Sequence, residues 1–194
     1  MSELPKRVQA DAPDGPFVTD VRTPRERARQ HIEDGAVTAS YGADRETVVR
    51  LLNDALATEL VCVLRYKRHY YMAEGIHAEA VKAEFAEHAA EEQAHADSIA
   101  ERIVQLGGAP DFNPEILASR SHAEYREGTS LRDMIREDLV AERVAIDSYR
   151  EIAQYLEGRD STTRRLMEQI QAAEEEHADD LVSLLKRMPE EGGI

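Results

Sequence analysis

The sequence predicts an all-α protein in which four long helices form an antiparallel bundle with one long crossover and an N-terminal arm. Four segments carry apolar residues at the three- and four-residue spacing of a helix, and glycine or proline stands near the end of each. The connections within the first pair and within the second pair of segments are short. About 20 residues separate the two pairs, which is enough to cross the length of a bundle. Each pair is therefore expected to be an antiparallel hairpin.

Residues 1–43 are predicted to be a partly irregular N-terminal arm. They contain four of the seven prolines and no sustained apolar period. Four arginines between positions 22 and 29 are offset by neighbouring acidic residues, which indicates a solvated segment rather than a nucleic-acid-binding tail. Thr23 as N-cap and Pro24 at the first helical position predict one short helix over about 24–33.

The four long helices follow the arm and have recognisable ends. They are expected over about 44–74, 78–106, 130–156 and 161–188. Gly75, Gly107 and Gly158 would end the first three, because glycine readily adopts the left-handed conformation that closes a helix. Ser130, three residues before Asp133, resembles a capping box at the start of the third. The predicted parts are an arm over 1–43, a four-helix bundle over 44–188 and a short tail over 189–194.

Composition and charge exclude several classes of protein. The formal net charge is −15, so the surface as a whole is not expected to bind nucleic acid directly. No apolar run approaches the roughly 18 residues of a membrane span, and no signal peptide is expected at the N-terminus. Cys62 is the only cysteine, so a disulfide framework within the chain is impossible, which predicts a cytoplasmic protein.

Two Glu-x-x-His motifs, one on the second long helix and one on the fourth, carry the strongest functional signal. A lone glutamate on the helix before each motif interrupts an otherwise apolar stripe, at nearly equal intervals of 33 and 32 residues. Residues three apart share one face of a helix, so the glutamate and histidine of each motif point the same way. The six side chains are Glu59, Glu92, His95, Glu142, Glu174 and His177. The intervals predict two copies of one hairpin, related by a pseudo-twofold axis, whose six side chains converge.

Four carboxylates inside a bundle need compensating charge. An isolated ionised carboxylate on an apolar stripe is costly, so it must be paired, neutral or metal-bound. Two histidines cannot stabilise all four, whereas two divalent cations would balance them and leave a neutral site. Carboxylate oxygens with imidazole nitrogens suit iron or manganese and also admit zinc. The six side chains therefore predict a two-metal site within one chain.

Over residues 44–187 this ligand pattern resembles the ferritin-like family, and bacterioferritin most closely. The resemblance implies that the lone glutamates are terminal ligands of two iron ions, that the motif glutamates bridge both ions, and that each histidine completes one. The segment from Glu59 to His69 also matches the family pattern E-L-x5-Y-x2-H. The family's tyrosine lies near the site and assists the redox step, a role that the resemblance gives to Tyr66, with plain core packing as the alternative. His69 would then support the ligands from outside.

The chain also departs from bacterioferritin. That family places a haem-binding methionine directly after the first bridging glutamate, where this chain has Gln93, so no haem is expected by that mode. Only seven residues follow Arg187, so the fifth helix that lines a cage axis in 24-subunit shells is not expected. A 12-subunit shell of the Dps-like kind is favoured over a 24-mer, with a dimer as the alternative. The mixture resembles the Dps-like branch that keeps a bacterioferritin-type site, although the two-cysteine motif of part of that branch is missing.

Several residues near the motifs carry weaker signals. His88 is interpreted as a satisfied core histidine, with support of the ligands or an entry path as the alternative. Cys62 is interpreted as a small core residue rather than a ligand. Three further glutamates are expected to be solvated or to support the ligands, and any of them could exchange with a chosen ligand: Glu91, Glu175 and Glu176.

The combined prediction is an iron-oxidising and iron-sequestering protein. By the resemblance, two Fe(II) ions bind the six side chains, O2 or H2O2 takes one electron from each, and Fe(III) is held as mineral if a closed shell forms. Consumption of H2O2 would protect against oxidative stress. The alternative is a non-storage di-metal redox enzyme, either a rubrerythrin-like peroxidase or a manganese-catalase-like protein, although the cysteines of a rubredoxin-type module are absent.

Overall fold

The computed structural model describes residues 20–188, and every regular element within that range is helical. The elements are α1 (Arg22–Arg27), α2 (Arg45–Met72), α3 (Ala78–Gln105), α4 (Leu117–Arg120), α5 (Leu131–Tyr155) and α6 (Ser161–Arg187), with a 3-10 turn at Ile32–Asp34. The predicted all-α fold with four long helices is confirmed. The predicted tail, 189–194, lies outside the described residues, as does the arm before residue 20. The division into arm, bundle and tail stays a prediction.

The four long helices pack as two hairpins. α2 packs along α3 and α5 packs along α6, while contacts between α2 and α5 and between α3 and α6 join the hairpins. Glu59 of α2 contacts Tyr149 of α5, and Tyr66 of α2 contacts Glu142 of α5. Residue numbers thus increase along α2 in the direction in which they decrease along α5. α2 and α5 are therefore antiparallel across the bundle.

The connection from α3 to α5 runs along the length of α2. Near the middle of α2 the Thr58 hydroxyl accepts the backbone N–H of His122 at 2.9 Å. Near its end Arg68 donates to the Glu127 carboxylate at 2.7 Å. Between α3 and these contacts, α4 packs Leu117 against α2. The predicted crossover is confirmed, whereas α4 was not predicted, because four residues are too few to show a helical period.

The short helix of the arm differs from the prediction. α1 begins at Arg22, so Thr23 lies inside the helix instead of capping it. The acceptor is supplied by Asp20, whose carboxylate accepts the backbone N–H of Arg22 at 3.0 Å and the hydroxyl of Thr23 at 2.9 Å. The helix stops at Arg27, well before position 33, and His31 adopts the left-handed conformation with φ of 49°.

The ends of the long helices follow the predicted signals with one exception. Gly107 and Gly158 follow α3 and α5 with φ of 76° and 70°. α2 ends two residues earlier than predicted, at Met72, because Ala73 is extended. Gly75, with φ of 106°, therefore lies in the turn between α2 and α3.

Ser130 caps α5 as predicted. Its hydroxyl oxygen accepts the backbone N–H of Asp133 at 3.2 Å. The Asp133 carboxylate in turn accepts the backbone N–H of Thr129 at 2.8 Å. This pair of contacts fixes where the crossover ends and the third long helix begins.

A polar layer divides the apolar core of the bundle into two clusters. One cluster includes Leu52, Leu56, Ile99, Ile103, Leu156 and Met167. The other includes Val81, Phe85, Ile135 and Leu181. Across residues 20–188, none of the helices combines the length and the apolar character needed to span a membrane.

Candidate metal centre

The polar layer brings together all six side chains of the two motifs and their partner glutamates. Their ligand atoms form two groups of four, and within each group all the atoms lie within 4.8 Å of one another. The groups are Glu59, Glu92, His95 and Glu174, and Glu92, Glu142, Glu174 and His177. Each group has its own lone glutamate (Glu59 or Glu142) and its own histidine. The motif glutamates, Glu92 and Glu174, belong to both groups.

The atoms that face one another in this layer are buried and lack hydrogen-bond partners. Five of the six residues are at most 2% exposed, and the side chain of His95 is 16% exposed. The orphaned atoms are Glu59 Oε2, Glu92 Oε1, His95 Nδ1, Glu142 Oε2, both carboxylate oxygens of Glu174, and His177 Nδ1. Buried polar atoms are almost always hydrogen-bonded, so a set of orphans that face one centre requires another partner. Divalent cations fit this donor set of carboxylate oxygens and imidazole nitrogens.

Each histidine presents Nδ1 to the centre. His95 Nδ1 lies 3.2 Å from Glu174 Oε1 and 3.4 Å from Glu59 Oε2. His177 Nδ1 lies 3.2 Å from Glu174 Oε2 and 3.9 Å from Glu142 Oε2. The two oxygens of Glu174 thus face different histidines, as a carboxylate shared between two cation positions would.

Two tyrosines bind the lone glutamates in a reciprocal exchange between α2 and α5. Tyr66 donates to Oε1 of Glu142, and Tyr149 donates to Oε1 of Glu59. Both tyrosines are fully buried, and each follows a lone glutamate by seven residues. The hydrogen bonds hold one oxygen of each lone glutamate and leave Oε2 facing the centre. The contacts therefore follow the predicted pseudo-twofold relation between the hairpins.

Tyr149 is the residue of the centre that sequence reasoning missed. Its spacing on the third long helix fits core packing equally well, so the apolar stripe alone does not mark it as part of the centre. The equal interval of seven residues from Glu59 to Tyr66 and from Glu142 to Tyr149 was the available signal. Two copies of one hairpin should carry the same supporting residue, so Tyr66 implied Tyr149.

We expect Tyr149→Phe to weaken divalent-cation binding by about tenfold, because loss of a hydrogen-bonded partner of a ligand typically costs 10–100-fold. Calorimetric titration with Co²⁺ measures the change. Tyr155→Phe is the matched control, since Tyr155 lies on the same helix and is only half-buried. Equal affinities in the two variants would contradict a positioning role for Tyr149.

Two α3 residues contact the centre from outside. Glu91 Oε2 accepts the Nε2 proton of His177 at 2.6 Å, which leaves Nδ1 of that ring facing the centre. His88 Nδ1 lies 3.1 Å from the Tyr66 hydroxyl, and its ring stacks on that of His177 with centroids 4.0 Å apart. His88 is therefore buried and satisfied at Nδ1, as interpreted, and it also touches two groups that touch the centre.

The remaining candidate residues lie apart from the six side chains of the centre. Cys62 is buried and belongs to neither group of four. Glu175 and Glu176 are exposed. His69 does not reach the centre. Its Nδ1 lies 2.8 Å from Asp138 Oδ2, and its Nε2 lies 3.0 Å from the backbone carbonyl of Glu127 in the crossover.

His69 belongs instead to a buried ionic network. The Arg65 guanidinium donates to Asp138 Oδ1 at 2.7 Å and to the backbone carbonyl of Glu124 at 3.3 Å. The side chains of Arg65, His69 and Asp138 are all 0% exposed. This network ties α2 to α5 and to the crossover, one turn before Glu142 on α5.

Protonation balances charge within the centre. Burial, and then repulsion by the motif glutamates, holds the pKa of each lone glutamate well above its usual range. Burial also raises the pKa of the motif glutamates. Contacts with the two histidines oppose this effect, and the pKa of both motif glutamates is lowered overall. Burial lowers the pKa of His95, but contacts with Glu174 and Glu59 outweigh it and raise that pKa to about 12. Contacts with Glu142, Glu174 and Glu92 raise the pKa of His177 in the same way. These shifts favour protonated lone glutamates and histidines beside ionised motif glutamates.

We expect cation binding at neutral pH to release protons from the lone glutamates and from the two histidines. Metal ligands bind as carboxylates and neutral imidazoles, so all four groups must deprotonate. Affinity should rise with pH across the neutral range for the same reason. Calorimetric titrations with Co²⁺ in buffers of different ionisation enthalpy count the protons. Heats that do not depend on the buffer would contradict this protonation scheme.

Comparison with known proteins finds relatives for most of the chain. A family model of the ferritin-like domain matches residues 49–190. A bacterioferritin from Mycobacterium avium is 34% identical over 150 residues, which cover 75% of this chain and 87% of that protein. A DNA protection during starvation protein from Pyrococcus furiosus is 32% identical over 151 residues, covering 76% and 82%. Among solved structures, the dodecameric thioferritin of Bacteroides fragilis, a bacterioferritin-related protein, has a TM-score of 0.72 at 34% identity, covering 75% of this chain and 88% of that one.

Proposed function

We propose that this chain, which belongs to the ferritin-like domain family, is a di-iron ferroxidase that oxidises Fe(II) and sequesters the Fe(III) product. The observation that carries the proposal is the pair of overlapping ligand groups, whose buried atoms face one another without hydrogen-bond partners. The 34% identity to a bacterioferritin supports the same activity. Iron storage and protection against oxidative stress follow from it.

Each ligand has a distinct part in this proposal. The lone glutamates would each bind one iron ion, the motif glutamates would be shared by both ions, and His95 and His177 would each complete one ion. Tyr66 and Tyr149 position the lone glutamates through their hydrogen bonds. A carboxylate has two oxygens, so it can bind one ion or two as the charge of the iron changes. An all-histidine site would lack that freedom.

The redox chemistry balances with either oxidant. Two Fe(II) ions give up one electron each. H2O2 takes both electrons with two protons and becomes two water molecules, whereas O2 takes the same electrons and protons and becomes H2O2. The raised pKa of the lone glutamates and histidines allows these groups to hold protons before iron binds.

Iron is proposed over other metals because the substrate must change its oxidation state. The donor set also admits manganese and zinc. Zinc has no redox chemistry, so it should act as a blocking ion at the same ligands.

We also propose that the chain assembles into a 12-subunit shell, because the Bacteroides fragilis relative is dodecameric. Light scattering would then give a particle of twelve chains of 21.8 kDa each. A stable dimer would instead favour the non-storage redox enzyme as the function.

The decisive test is an anaerobic Fe(II) titration followed by mixing with O2 or H2O2. The rapid rise in Fe(III) absorbance should saturate at two Fe(II) per chain, because the buried centre is built from two overlapping ligand groups. Zn²⁺ added first should suppress that rapid phase. Saturation far from two, or a rapid phase that Zn²⁺ leaves unchanged, would overturn the proposal.

A further inference from the structure

A third group of possible ligands lies beside the two-metal centre. Glu84 and His88 of α3 and Asp180 of α6 each offer one ligand atom, and these atoms lie within 4.8 Å of one another. The group runs from the interior to the surface: His88 is 2% exposed, the Glu84 side chain is 27% exposed, and Asp180 is exposed. It therefore reaches from solvent to a histidine that stacks on His177.

The hydrogen bonds of His88 point a ring-nitrogen lone pair toward the carboxylates. Oε1 of Glu142 accepts the Tyr66 hydroxyl proton, so the Tyr66 oxygen has only lone pairs left to offer to His88. The Tyr66 oxygen then accepts from His88 Nδ1, which places the single proton of a neutral imidazole on Nδ1. His88 Nε2 consequently carries the lone pair and lies 3.4 Å from Glu84 Oε1. Two such acceptors repel each other unless a proton or a cation lies between them.

The pseudo-twofold relation of the two-metal centre does not account for these three residues. The pseudo-twofold relation pairs Glu92 with Glu174 and His95 with His177, so it assigns each of the three residues an equivalent position in the other hairpin. Leu166 corresponds to Glu84, Ile170 to His88 and Ser98 to Asp180. Leu166 and Ile170 pack into the apolar core. The polar group is therefore an addition on one side of the centre only.

We propose that Glu84, His88 and Asp180 form a third cation site, which holds one divalent cation between solvent and the two-metal centre. Two carboxylates and one imidazole are a suitable donor set for Fe(II) and its neighbours in the transition series. Burial raises the pKa of Glu84, and repulsion by the charges of Asp180 and Glu87 raises it further. A bound cation would relieve that repulsion. Only the identification of the cation as Fe(II) rests on the proposed function.

The position of the site suggests its use. A cation held there contacts His88, whose ring touches His177 and whose Nδ1 holds Tyr66 in place beside Glu142. The exposed carboxylate of Asp180 can capture a cation from solvent, and the net charge of −15 favours its approach. The site is thus a waiting position for one ion next to the half of the centre that contains Glu142 and His177.

The test is a titration of the assembled protein with Co²⁺, which replaces Fe(II) without being oxidised under the same conditions. Calorimetry gives the stoichiometry, and anomalous diffraction from Co²⁺-soaked crystals locates the ions. Wild type should bind three Co²⁺ per chain and Asp180→Asn should bind two. Asp179→Asn is the matched control, because it removes the same charge from the adjacent exposed position and should still bind three.

The possible outcomes separate the third site from the proposed function. Two Co²⁺ in wild type with no change in Asp180→Asn, or three in both proteins, would overturn the third site and leave the two-metal centre intact. One Co²⁺ in wild type that is lost in Asp180→Asn would support the third site and overturn the ferroxidase. One Co²⁺ that Asp180→Asn retains would overturn both.

Discussion

Glu92→Gln is expected to slow the rapid oxidation of Fe(II) by more than about 100-fold. Loss of a residue that only supports a ligand typically costs 10–100-fold, and Glu92 is itself in both ligand groups. An amide keeps the shape of the side chain but lacks the negative charge that two cations would share. Stopped-flow absorbance after mixing Fe(II)-loaded protein with O2 measures the rate, and the bound Fe(II) should fall below wild type.

The matched control for this experiment is Glu101→Gln. Glu101 lies on the same helix, nine residues later, and is exposed. It should oxidise Fe(II) at the wild-type rate. A Glu92→Gln protein that oxidises Fe(II) within a few-fold of Glu101→Gln would show that Glu92 does not bridge the two ions.

The largest loss of stability is expected from Asp138→Ala, which should lower the free energy of unfolding by about 3–5 kcal/mol. The change leaves the Arg65 guanidinium buried without its carboxylate and removes the acceptor of His69. Denaturant unfolding at one fixed protein concentration measures the loss, because subunit assembly also contributes to apparent stability.

Two further variants test the origin of that loss. Asp147 pairs with Arg150 on the surface, and Asp147→Ala should cost less than about 1 kcal/mol. A double variant, Arg65→Met with Asp138→Leu, removes both charges and should recover much of the stability. An Asp138→Ala loss as small as that of Asp147→Ala would show that the buried network contributes little.

The sequence predicts the long helices and the convergence of the six candidate ligands, because both depend on spacing. An apolar stripe extends over many turns, so a single exception such as Glu59 stands out against it. The Glu-x-x-His motifs fix two ligands on one helical face whatever the rest of the fold does. The structure brings these six side chains together at the level of the bundle where the stripes are interrupted.

What the sequence could not predict depends on contacts between distant segments. The partner of Arg65 is 73 residues away, and nothing in the local pattern distinguishes Asp138 from a solvated acid on the surface of α5. His69 matched a family pattern near the ligands, yet its ring bonds to Asp138 and to the crossover. α1 starts before Thr23 because Asp20 competes successfully as the hydrogen-bond acceptor.

The contact between Glu91 and His177 makes the two halves of the centre chemically unequal. The residue of α6 that corresponds to Glu91 is Ala173, which has no carboxylate to offer His95. A carboxylate on the far nitrogen makes an imidazole a stronger electron donor to its metal. The iron on the His177 side should therefore have the lower reduction potential and lose its electron first. Mössbauer spectra of the diferrous protein should resolve two quadrupole doublets of equal area, one for each ion.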